Sequence, residues 1–273
     1  MISFNVLLIL SFILSAKIVY SQEDELLVAK LSYFNAKKII SNFKAVIVKF
    51  DESYSVNPDK DAEYKILAEE LRFSMDIFVG HIVVPYQADD MDKNEMTEEQ
   101  KLAKQYNITG PENMPVIFLY REKNFENPIR FNGKQFDSYT LRDFIRTNVP
   151  GLSFQLKSCI PEFDNLAKDF IRDNKSAEKR KKILKNTEKQ MNNMRNEDHK
   201  NSAKIYVKIM ERILERGDIF IESEFERIRN LLNGKLSDQK KVDLKNRLNI
   251  VDSFRSLSMT KIGKDEFFIT KNC

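Results

Sequence analysis

The spacing of apolar residues changes once along this chain, close to Gly151, and that change limits the fold more than any other feature. Ahead of it, short β-branched runs alternate with helical stripes. Lys44–Phe50 reads as a central strand and Ile77–Val84 as a second. Between them Tyr64, Leu67, Ala68 and Leu71 fall at i, i+3, i+4 and i+7, one face of a helix. Thr97-Glu-Glu-Gln100 is a capping box opening a helix that carries Leu102, Ala103 and Tyr106. Pro115–Tyr120 is a third strand, and Ile129–Phe131 lies in a fourth, after a turn at Glu126-Asn-Pro128. Ser138 can cap a last helix bearing Leu141, Phe144 and Ile145. Strands alternating with helices, then a strand pair and a helix, describe an α/β sandwich over residues 22–152.

Beyond Gly151 the strand signals stop. Phe163, Leu166, Ala167, Phe170 and Ile171 form a helical stripe, with Pro161 in its first turn. Ala177–Met194 is a second helix, with Ile183, Leu184, Met191 and Met194 inward. A third carries Ile205, Ile209 and Ile213 and stops at Gly217. A fourth carries Phe225, Ile228, Leu231 and Leu232 and stops near Gly234. Leu244, Leu248, Val251 and Phe254 belong to a fifth. The expectation is an all-α five-helix domain over residues 153–255, then a disordered tail over 256–273.

The apolar run Val6–Ala16 is too short for a membrane span and is followed by polar sequence. It reads as a signal peptide over residues 1–21, with Val19 and Ser21 at the small-residue cleavage positions. No second apolar stretch approaches membrane length, so no stable membrane insertion is expected. Lys and Glu are interleaved and the formal net charge is only +4, which argues against a nucleic-acid partner. The two cysteines form no disulfide framework. His81 and His199 have no metal-ligand spacing, and neither a phosphate-binding loop nor a Ser/His/Asp set can be read. No metal, cofactor or catalytic residue is therefore expected. The cluster Lys179-Arg-Lys-Lys182 reads as a solvated helix face. Asn107-Ile-Thr109 and Asn174-Lys-Ser176 are glycosylation sequons.

A strand ending Val48-Lys-Phe-Asp51, a turn, a helix, and later Met114-Pro115 entering an apolar strand resemble thioredoxin. That resemblance implies a cis peptide bond at Pro115. It also places the redox cysteines just after Phe50, where this chain has Asp51, Glu52, Ser53 and Tyr54. No cysteine occurs before Cys159, so the two-thiol exchange of that family has no reagents here.

The order of Val48–Tyr54, Asn124–Pro128, Cys159–Asp164, Phe170–Arg172, Tyr206–Met210 and Leu248–Ile250 narrows the match. The chain resembles the redox-inactive, protein-disulfide-isomerase-like chaperones of the endoplasmic reticulum, the Windbeutel-type family. The resemblance implies a thioredoxin-like domain that forms a homodimer and a helical domain that contributes to client binding. It implies binding of unfolded or maturing secretory proteins in the endoplasmic reticulum lumen, without catalysis. Asp51 and Tyr54 fall at the implied client-contact turn; where the family has a second tyrosine, this chain has Val56. Cys159 matches the family's lone cysteine, read either as a regulatory thiol or as a small buried hydrophobe. Two other functions stay open: a thiol-disulfide isomerase working through Cys159 alone, and a secreted binding protein. The second arises because Lys264-Asp-Glu-Phe267, similar to the family's retrieval signal, is followed by six more residues.

Overall fold

The computed structural model describes residues 27–85, 96–108, 110–152, 154–172 and 176–269, with side chains up to Arg255 and backbone alone beyond it. The chain divides into two compact units, one up to Phe154 and one from Gln155 onward. The leader and its cleavage site, Asn174 and Cys273 lie outside the described residues.

The first unit runs β1 (Ala29–Leu31), α1 (Tyr33–Ile40), β2 (Ala45–Asp51), α2 (Pro58–Leu71), β3 (Ile77–Val83), α3 (Glu98–Gln105), a short 3-10 turn (Pro111–Asn113), β4 (Val116–Arg121), β5 (Ile129–Arg130) and α4 (Ser138–Asn148). The five strands are ordered β1-β3-β2-β4-β5. β3 is parallel to both β1 and β2, whereas β4 is antiparallel to β2 and to β5. With the helices this is a thioredoxin-like α/β domain. β2 is buried along its whole length, as a central strand covered on both faces must be.

Alternation along β2 divides its side chains between two cores. Val46, Val48 and Phe50 pack with Ala36 and Ile40 of α1, Leu102 and Ala103 of α3, and Phe118 and Tyr120 of β4. Phe50, Tyr106 and Phe118 form a cluster of edge-on and tilted rings 4.9–5.9 Å apart. Ile47, Lys49 and Asp51 point to the opposite face, towards α2. There the buried Tyr64 hydroxyl lies 2.9 Å from the Ile47 carbonyl and 2.7 Å from that of Gly80, joining α2 to two strands. Gly80 is required by close approach: a Cβ there would lie 2.8 Å from Leu31 Cδ1 and 3.2 Å from the Ala29 carbonyl.

β1 and α1 are additions to the sequence expectation. β1 has three residues, too few for an alternation pattern, and it pairs only because β3 offers an edge. α1 begins with a reciprocal capping box between Ser32 and Asn35. At α4 the cap is Asp137, whose carboxylate accepts from the Thr140 N–H at 2.8 Å. Ser138, the expected cap, is instead a buried first-turn residue, and its N–H donates to Glu63 on α2.

The second unit is five helices: α5 (Pro161–Arg172), α6 (Ala177–Asn192), α7 (Glu197–Arg216), α8 (Ile219–Leu232) and α9 (Asp238–Ile269). Phe163, Phe170, Tyr206, Met210, Phe225, Ile228, Leu248, Val251 and Phe254 are buried and make its core. Gly217 ends α7 at φ 77°, and its N–H returns to the Ile213 carbonyl at 2.8 Å. Two expectations are corrected. Leu231, assigned to the inner stripe of α8, is exposed. α6 turns Arg180 and Thr187 into the interior, while Ile183, Leu184, Met191 and Met194 are only half-buried. The backbone of α9 runs on as helix past Ser256, where the tail was expected to begin, to Ile269.

Candidate functional site

The turn between β2 and α2 carries Asp51-Glu-Ser-Tyr54, the residues that the thioredoxin resemblance sets in the place of a redox pair. Asn57 closes it as the α2 N-cap, accepting from the Lys60 N–H at 3.1 Å, and Pro58 occupies the first helical position. The Ser55 hydroxyl donates to the Asn57 carbonyl at 3.1 Å. Within this short turn Tyr54 is 89% exposed, and Val56 beside it is exposed as well. An outward phenol of this kind offers a large apolar contact with a polar tip and little rotamer entropy to lose.

Asp51, grouped with Tyr54 by the resemblance, is only 3% exposed. One of its oxygens accepts from the Glu52 N–H at 3.0 Å and the other from Lys49 Nζ at 3.3 Å. It shapes the start of the turn and lines the cavity beside it, with little surface of its own. Lys49 also pairs with Asp61 on the first turn of α2, and Asp61 pairs with Lys65 at 3.1 Å. Burial opposes the charge on Asp61, but the two lysines outweigh it and hold the carboxyl below its usual range. His81, on the neighbouring strand, is lowered by burial and then by Lys49 and Lys30.

Two cavities flank the turn, and Glu52 lines both. One, of about 400 Å³, is lined mostly by charged and polar residues, among them Lys49, Asp51, Asp61, Lys65, His81 and Ser53. The other, of about 300 Å³, is mostly apolar; its walls include Val84, Met96, Ala103, Ile108, Pro111 and Met114. The Met114–Pro115 peptide bond beside this second cavity is cis. An exposed aromatic turn next to an apolar groove suits an extended peptide with bulky side chains.

Cys159 lies in the other unit. The residue is half-buried with its sulfur turned inward, 3.5 Å from the Ser253 hydroxyl. Burial, followed by the nearby Asp164 carboxylate, pushes the thiol up to about 12. At neutral pH that leaves roughly one molecule in 10⁵ as thiolate, the form that attacks disulfides. Asp164 is itself raised by burial, and accepts from the Tyr206 hydroxyl at 2.6 Å. Sequence reasoning did not find this cluster, because Asp164, Tyr206 and Ser253 are assembled from three different helices. Asn107 is exposed, in the turn that follows α3. Among the described residues no His, Cys, Asp and Glu cluster is placed to hold a metal, and no helix is long and apolar enough to cross a membrane.

Comparison with known proteins covers both units. The model of the ERp29 N-terminal domain matches residues 24–152, and that of the C-terminal domain of endoplasmic reticulum protein ERp29 matches residues 158–254. The chain is 24% identical to Protein windbeutel of Drosophila melanogaster over 236 residues, which span 86% of this chain and 88% of that protein. It is 23% identical to Protein disulfide-isomerase 1 of Dictyostelium discoideum over 80% of this chain and 57% of that one. Among solved structures, the first thioredoxin domain of mouse Protein disulfide-isomerase A4 aligns with a TM-score of 0.35 and 16% identity, covering 46% of this chain and 79% of that one.

Proposed function

The chain belongs to the ERp29 family of disulfide-isomerase-like endoplasmic reticulum proteins, which gives it a folding-related role there, and on that premise we propose that it acts as a non-enzymatic chaperone or escort. It binds unfolded or maturing secretory proteins in the endoplasmic reticulum lumen through the Tyr54 turn and the apolar groove next to it. The observation that carries this reading is the exposure of Tyr54 on a turn pinned at both ends. The turn that bears thiols in a redox enzyme of this fold bears Asp51-Glu-Ser-Tyr54 here. The one described thiol, Cys159, is in the helical unit and is held protonated. A homodimer through the thioredoxin-like unit would present two such turns and raise avidity.

The test is binding of a fluorescently labelled, reduced and carboxymethylated lactalbumin, an unfolded secretory protein with no free thiol. Tyr54→Ala is expected to weaken binding about tenfold, the effect of losing one aromatic anchor. Unchanged affinity in that variant would remove Tyr54 from the site. In a parallel insulin-reduction assay the parent and Cys159→Ser are expected to be equally inactive. Turnover that disappears with Cys159→Ser would establish the single-thiol isomerase instead.

A further inference from the structure

Lys49 is an unusual residue for the middle of a sheet. Its side chain is 7% exposed, and it sits on a central strand where its neighbours on the same chain are Val48 and Phe50. Burying an ammonium group is costly unless it is paired and hydrogen-bonded. Here Nζ reaches Asp51 at 3.3 Å on its own strand and Asp61 on α2, and it lies 5.7 Å above the Tyr64 ring. Asp51 and Asp61 lie on either side of the segment that carries Tyr54. Asp51 in turn holds the first N–H of that segment, on Glu52, at 3.0 Å. The ammonium therefore links the exit of β2 to the entry of α2.

We infer that Lys49 is a positioning residue for the peptide-binding turn: by bridging Asp51 and Asp61 it fixes the segment 52–57 so that Tyr54 is presented outward in one conformation. This rests on the reading of Tyr54 as a binding residue. The physical reason is preorganisation. A turn left free between two anchors would have to be ordered on binding, and that entropy would be subtracted from affinity. Tyr64 joins α2 to the sheet through its own hydroxyl, independently of Lys49.

The variant for the test is Asp61→Ala. The Asp61 side chain is 21% exposed, and its loss leaves Lys49 paired with Asp51, so the fold should persist. Lys49→Met serves as the second variant, with circular dichroism reporting whether it folds. Each is measured in the full chain with labelled, carboxymethylated lactalbumin as the probe, alongside amide hydrogen exchange of residues 52–57. The expected result for Asp61→Ala is about a tenfold loss of affinity together with faster exchange confined to that segment. Asp61→Asn, which keeps an acceptor for Lys49, should recover most of the affinity. In the double variant Tyr54→Ala/Asp61→Ala, affinity should be no lower than in Tyr54→Ala alone, because Asp61 acts only through Tyr54. Unchanged affinity in Asp61→Ala, weakened affinity without faster exchange, or losses that add in the double variant would each overturn the inference. A Tyr54→Ala variant that binds like the parent would overturn the binding reading itself, a separate outcome.

Discussion

Single residues decide the chemistry this molecule can perform. A cysteine is reactive to the extent that it is ionised; Cys159 is buried, and the groups that act on it are neutral or negative: Asp164, the Ser253 and Tyr206 hydroxyls, and Asp252. We expect Cys159 to react with iodoacetamide at pH 7.5 roughly a thousandfold more slowly than glutathione, followed by peptide-resolved mass spectrometry. Alkylation at the glutathione rate would show that the thiol is not held up. The sequence left Cys159 open between a regulatory thiol and a small buried hydrophobe, and it did not show what suppresses ionisation. Asp164 is five positions away, whereas Ser253 is 94 positions away. Asp51 gives the same lesson. Its neighbour Tyr54 is exposed and it is buried, a difference set by which way the end of β2 faces and not by residue type.

At the scale of elements, helices and long strands were legible from periodicity, because one side of each had to meet a core. The central strand β2 lies within one residue of its expected bounds, α3 opens directly after its expected cap, and the apolar stripes assigned to α2, α5 and α7 fall inside those helices. α6 is the instructive exception. Its basic cluster reads as a solvated face, and Lys179, Lys181 and Lys182 are indeed exposed. Arg180 is not. Its Nε donates to the Phe170 carbonyl at 3.0 Å, its guanidinium stacks 5.0 Å over the Phe170 ring, and it pairs with Asp218 at 2.8 Å. The arginine thus satisfies the end of α5 while tying α6 to the start of α8. Arg180→Ala is expected to destabilise the helical unit by about 2–3 kcal/mol, through the orphaned carbonyl and lost packing. Lys181→Ala, on the exposed face, should change it by less than about 0.5 kcal/mol. Urea unfolding of the two variants compares them directly. Equal midpoints would remove Arg180 from the helix interface.

For the whole molecule, His81 in the first unit and Asp164 in the helical unit titrate with opposite effects on stability. His81 in the first unit is held below its ordinary value of 6.5, so the folded form resists the proton that the unfolded chain accepts. Its stabilising contribution is complete above that value and declines as pH falls through it. Asp61, held below its ordinary value of 3.8, adds a further loss only in stronger acid. Asp164 in the helical unit is raised above 3.8, so the folded form takes up a proton first and gains stability as pH falls from neutral towards that value. Between about pH 6.5 and 4.5 the first unit should therefore weaken relative to the helical one, as read by hydrogen exchange in each. Below that range Glu224 of the helical unit, where burial opposes the charge but Arg227 and Arg247 hold the carboxyl below its ordinary 4.5, begins to lose its own contribution. His81→Asn should flatten the first trend and Asp164→Asn the second. Parallel trends in both units would contradict the assignment. The sequence by itself determined the class of each unit, the place where one gives way to the other, and the lack of paired thiols, since these follow from local periodicity and residue counts. Only the tertiary structure decided which charges are interior, because Lys49 meets Asp61 and Arg180 meets Asp218 through packing between elements, and no local pattern encodes a contact made across twelve or thirty-eight positions.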